Sequence, residues 1–127
     1  MRGKINSVIR IPTTLNGFFR HWFEFLKPFH QLTGREIDVA SVLVRKRYEL
    51  SKVITDDSIL DKVVMSDDTR RAVREECGLS LPHFQVIMGK LKKGKIIVDG
   101  RINPKFIPTV IEDDGNFQLL LLFDFKK

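Results

Sequence analysis

Apolar residues recur at helical spacing in several stretches of this chain, and turn-forming residues separate them. Leu15, Phe18, Phe19, Trp22, Phe23 and Leu26 form a stripe that predicts a helix from the caps Thr13 and Thr14 to Lys27, closed by Pro28. Thr33-Gly34-Arg35-Glu36 is a capping box and predicts a second helix start. Ile37, Ala40, Val44 and Tyr48 line one face of that helix, with Leu43 and Leu50 beside it. Ser51–Asp57 is polar and reads as a loop. Ile59, Leu60, Val63 and Val64 predict a short helix after Asp56-Asp57, whose acids suit a helix N-terminus. Ser66-Asp67-Asp68 caps a helix over Thr69–Cys77, with Ala72, Val73 and Cys77 inward. Gly78 stands at its left-handed C′ position. Ser80 then caps a helix over Leu81–Lys93, in which Phe84, Ile87, Met88 and Leu91 recur at core-facing spacing.

Strand signals are shorter. Gly94 ends the last helix, Lys95–Val98 is a strand, Asp99-Gly100 a hairpin turn and Arg101–Ile102 the return. Pro104 pushes this part toward a sheet edge or its end. Lys4–Ile11 reads as a strand closed by Pro12. Phe106–Ile111 and Phe117–Phe125 read as two more around the turn Asp113-Asp114-Gly115-Asn116. The pattern is α+β.

Two helices joined through Gly78 and followed by a basic hairpin outline a helix-turn-helix with a wing. The second helix would be the recognition helix, with His83, Gln85, Val86 and Lys90 away from its apolar stripe. Gln pairs with adenine edges, and His or Lys with guanine or phosphate. Lys92, Lys93 and Lys95 lie at the helix exit, and Arg101 and Lys105 border the wing. From Ser80 to Lys105 the only acid is Asp99. Such a surface suits phosphate contacts, which position a protein without reading sequence. The alternative is that cations at a helix C-terminus only offset its dipole.

The segment Thr69–Pro108 resembles the winged-helix family of regulators and plasmid or phage replication initiators. Its ending, Leu91-Lys92-Lys93-Gly94-Lys95-Ile96-Ile97 and Ile102-Asn103-Pro104, is similar to that of some plasmid initiators. The resemblance covers about Thr33–Pro108. It implies a winged helix-turn-helix core of three to four helices and a β-hairpin wing over 33–108, inside one domain of 1–127. It also implies binding to duplex DNA, as a transcription regulator or replication initiator of a phage or mobile element. The sequence departs from the family in two ways. The recognition helix is sparse in base-reading residues, and 1–32 and 109–127 are additions that look like packing or assembly surfaces.

Those additions support a different expectation, a virion component that reuses the fold. Phe18, Phe19, Trp22, Phe23 and Phe25 would then be an interface for self-association or another protein, with strand Asn116–Phe125 as a second contact. The plainer alternative is that the aromatic helix packs on the chain's own core.

Composition narrows the classes. At 43% hydrophobic and 30% charged, the 127 residues fit one ordinary globular domain. The net charge of +6 favours nucleic acid, an anionic membrane or an acidic protein without choosing among them. The lone Cys77 excludes an intrachain disulfide and suits a reducing, cytoplasmic setting. The N-terminus does not read as a signal peptide, and the run Leu119–Phe123 is far below the roughly 20 residues of a membrane span. His21, His30 and His83 lack metal-ligand spacing. Arg45, Lys46 and Arg47 point about 100° apart on a helix and read as solvated surface. Acids near Cys77 and the helix C-terminus raise its pKa. The expectation is a protein without enzymatic activity, cofactor, metal, membrane or small-molecule substrate.

Overall fold

The computed structural model describes residues 8–110, 115–119 and 124–126. Along the chain run α1 (Leu15–Phe25), α2 (Lys27–His30), α3 (Gly34–Ser51), α4 (Asp57–Val64), α5 (Asp67–Glu76), α6 (Leu81–Lys93), β1 (Ile97–Val98) and β2 (Arg101–Ile102). A 3-10 turn over Pro104–Phe106 follows. Among the described residues the fold is therefore mostly helical with one small antiparallel sheet.

Helix α3 is the element the others cover. Ile37, Val39, Ala40, Leu43 and Val44 are buried on it, together with Glu36 and Ser41. At 100° per residue these positions span roughly 200° of the helix, about twice the stripe of a surface helix. The sequence pattern had marked one face, but α1 packs on one side of α3 while α4, α5 and α6 pack on the others. Glu36 closes the capping box, its Oε1 accepting from the Thr33 amide at 3.1 Å.

The N-terminal aromatics sit inside. Phe19, Trp22 and Phe23 are buried in the common core. Pro28 does not close a long helix. It lacks the N–H that a continuous helix would bond to the Glu24 carbonyl, so α1 stops at Phe25 and Pro28 enters the first turn of α2. Gln31 adopts φ 57° and ends α2. His30, buried between, places Nε2 2.7 Å from the Phe23 carbonyl while its Nδ1 accepts from the Leu32 amide at 2.9 Å. These bonds fix the neutral tautomer with the hydrogen on Nε2, and they tie α1 to the approach to α3.

The C-terminal helices follow their caps. Asp56 accepts from the Ile59 amide, Ser66 from Thr69 and Ser80 from His83. α5 ends as expected in a Schellman motif: Gly78 has φ 65°, and Leu79 N–H reaches the Arg74 carbonyl at 3.1 Å. α6 ends in the same motif, but the left-handed residue is Lys95 (φ 65°) and not Gly94 (φ −81°). Lys95 donates to the Lys92 carbonyl and Ile96 to that of Leu91.

The hairpin has the register Ile97↔Ile102 and Val98↔Arg101. Asp99 and Gly100 have φ 55° and 74°, the two positive values of a type I′ turn. With two residues per strand it depends on the burial of Ile96, Ile97 and Ile102.

Three expected strands are corrected. Phe106–Ile111 is not one over 106–110, because Asn103 caps a 3-10 turn in which Phe106 and Ile107 donate back to Asn103 and Pro104. The freed Phe106 carbonyl instead accepts from Trp22 Nε1 at 2.8 Å. In Phe117–Phe125 the described residues 117–119 and 124–125 are not strand, and 120–123 lie outside the described residues. Val8–Ile11 is exposed and irregular, and Lys4–Ser7 lies outside.

Ser41 has the one buried side-chain oxygen without a partner among the described residues. Ser41→Ala removes an unsatisfied hydroxyl and improves helix propensity, so it is expected to stabilise by about 1 kcal/mol in urea unfolding. Leu91, fully buried, should cost about 3 kcal/mol as Leu91→Ala in the same assay.

Candidate nucleic-acid interface

Helix α6 divides cleanly. Phe84, Ile87, Met88 and Leu91 are buried, and the helix packs through them against α3 and β1. That orientation turns His83, Gln85, Lys90, Lys92 and Lys93 outward, all of them exposed. Val86 (58% exposed) and Leu81 (53%) are also exposed on this helix. Leu81 was not singled out by the sequence pattern. It occupies N1, three residues before Phe84 and seven before Met88, so it continues the buried stripe into the first turn of the helix yet is exposed there.

The basic residues around α6 are not equivalent. Lys90 lies 3.5 Å from Glu36 and Arg101 3.9 Å from Asp61, so a carboxylate of the same molecule holds each. Lys92, Lys93, Lys95 and Lys105 are exposed, and among the described residues none has a carboxylate within 4.0 Å. The hairpin tip carries Asp99 rather than a base. Of the basic residues around α6, those without a carboxylate within 4.0 Å among the described residues therefore lie at the end of the helix and the root of the hairpin.

Glu36 connects this face to the core. Burial pushes its carboxyl pKa up, but the bonds from the Thr33 amide and hydroxyl and the Lys90 charge outweigh burial and hold it below the ordinary value. One carboxylate thus caps α3 and anchors α6.

The other candidate residues are placed as follows. Of the proposed aromatic interface, Phe19, Trp22 and Phe23 are in the core, which corrects that assignment. Phe18 is half-buried, with the Phe117 ring 4.8 Å away; Trp22 meets the same ring at 5.6 Å. The C-terminal segment thus covers part of this face itself. Phe25 (44% exposed) and Phe29 (63%) remain outside. The triplet Arg45, Lys46 and Arg47 is not merely solvated: Arg45 pairs with Glu49 and Glu76, Lys46 approaches Glu76, and Arg47 pairs with Asp61. Burial would depress the Arg45 pKa, but Glu76 and Glu49 raise it. The Cys77 thiol is pushed up, first by burial and then by Asp38 and Glu76.

Two clefts accompany these pairs. One of about 380 Å³ is lined by Arg20, Arg35, Asp38, Arg45, Glu76 and neighbours. Its arginines are already engaged: Arg20 with Glu24 and Asp38, and Arg35 with Asp38 and the Cys77 carbonyl. The second, about 230 Å³, lies between Arg47, Asp57, Asp61 and Arg101. Among the described residues no group of three His, Cys, Asp or Glu side chains is arranged to hold a metal, and no helix is long and apolar enough to cross a membrane.

The chain matches no family model, no curated protein and no solved structure.

Because the folded pKa of Glu36 is lowered, its contribution to stability is fully present above the unfolded value near 4.5. That contribution is lost as pH falls through the folded value. Glu36→Gln is therefore expected to lower stability at pH 7 and to flatten the acid limb of a Tm-versus-pH curve below about pH 4.5. An unchanged limb would remove Glu36 from this role.

Proposed function

We propose that the protein binds duplex DNA as a winged helix, with α6 as recognition helix and β1–β2 as wing. In this arrangement α3 is the supporting helix, and α5 and α6 are the two arms joined at Gly78. The observation that carries the proposal is the outer surface of α6 and its exit. Exposed His83, Gln85, Leu81 and Val86 are followed by Lys92, Lys93, Lys95 and Lys105, none with a carboxylate within 4.0 Å among the described residues.

Each part has a physical role. The lysines neutralise phosphates and release counterions, which gives affinity that falls with salt. Gln85 suits an adenine edge and His83 a guanine or phosphate. Leu81 and Val86 suit thymine methyl groups, so the few hydrogen-bonding residues of the helix do not leave it without a means of readout. Lys90 and Arg101 keep their internal partners and serve the docking surface less directly. The regulators and replication initiators that Thr69–Pro108 resembles are two uses of such a surface.

The assembly alternative is weaker, because most of the aromatic side chains it needs are buried in the chain's own core.

Fluorescence anisotropy with a random 20-base-pair duplex tests the proposal. Binding is expected at low salt, with log Kobs falling linearly against log salt. Lys92→Glu/Lys93→Glu together should weaken binding by roughly tenfold or more near 0.1 M salt. Absence of binding at low salt, or an indifferent double variant, contradicts it.

A further inference from the structure

Two helices of this chain end in the same Schellman geometry with different residues at the left-handed position. At the end of α5 it is Gly78; at the end of α6 it is Lys95, with φ 65°. A side chain in that region is disfavoured, and glycine is the usual occupant. Gly94 stands one residue too early to relieve it, at φ −81°. Gln31 and Asp99 also adopt positive φ, so the conformation alone assigns Lys95 no role; its neighbours decide.

The neighbourhood sets where its side chain stands. Asn103 donates from its side-chain amide to the Lys95 carbonyl at 3.0 Å, and its oxygen accepts from the Lys105 amide at 3.1 Å. The Asn103 backbone amide also reaches the Ile96 carbonyl at 2.8 Å. A single residue therefore fastens together the two loop segments that carry Lys95 and Lys105. Both lysines are exposed, and among the described residues neither has a carboxylate within 4.0 Å. At the other end of the hairpin the tip is acidic at Asp99, and Arg101 is drawn back toward Asp61.

We infer that Lys95 and Lys105, spaced by Asn103, form a clamp for a backbone phosphodiester at the root of the hairpin, and that the tip makes no such contact. Asn103 is the positioning residue and touches no phosphate itself. The inference rests on the duplex-binding proposal and adds to it where the strand backbone is held.

Lys95 offers a test in which folding and binding move in opposite directions. Lys95→Gly relaxes the left-handed position, so its Tm is expected to equal or exceed that of the parent chain. Its affinity for a random 20-base-pair duplex should nevertheless fall, by about eightfold near 0.1 M salt, and the salt slope should become shallower by about 0.9, the loss of one phosphate. Lys95→Arg should keep both affinity and slope. Asn103→Ala retains every charge, yet should also make the slope shallower. Asp99→Asn, at the tip, should leave the slope unchanged.

The outcomes separate. If the parent chain binds the duplex and Lys95→Gly binds with the same slope, the clamp is wrong and the duplex proposal stands. If the parent chain binds no duplex at low salt, both fall. Retention on phosphatidylglycerol vesicles without duplex binding also overturns both and assigns the lysines to a membrane surface.

Discussion

Helix α3 has apolar and small residues over more than half of its circumference, and it cannot fold without cover on several sides. That requirement arranges the rest of the molecule. α1 takes one flank with Phe19, Trp22 and Phe23, and α4, α5 and α6 take the others. Because α6 must turn Phe84, Ile87, Met88 and Leu91 toward this centre, its remaining residues have no choice but to face out. The candidate interface is thus a by-product of core packing as much as of its own sequence.

Internal charge pairing then selects which cations are available. Glu36, held ionised by the Thr33 amide and hydroxyl and by Lys90, pairs α6 with the start of α3. Asp61 takes Arg47 and approaches Arg101, and Asp38 and Glu76 take the arginines between α1, α3 and α5. These pairs are mostly exposed or half-exposed, so each adds little stability. Their larger effect is on the field: the carboxylates consume the charge of α3, and the lysines at the exit of α6 are left over.

Apart from α2, which starts at Leu26 without a side-chain cap, the helices were legible in the sequence because each begins at a capping residue and carries a local stripe. Thr14, Thr33, Asp56, Ser66 and Ser80 all sit where their chemistry suggests. Asp99-Gly100 likewise specifies its own turn. The segments after Ile102 were not legible as they are, since their apolar residues are β-like in composition while their course is set by distant partners. Trp22 captures the Phe106 carbonyl, and Phe117 packs on Phe18. No local pattern encodes such contacts, although Asn103-Pro104 was a usable turn signal. The cations of the candidate site were legible as a cluster. Which of them pair with Glu36 and Asp61 was not, because those acids lie far away in sequence.

On the proposal made above, one face, the outside of α6 together with the root of the hairpin, meets duplex DNA. Mapping amide chemical shifts of the labelled protein during titration with a short duplex tests it most directly. Changes are expected to concentrate in 81–93 and 95–105 outside the buried stripe, with α1 silent. Changes centred on α1 and α2 around Phe25 and Phe29, or none at low salt, would contradict it.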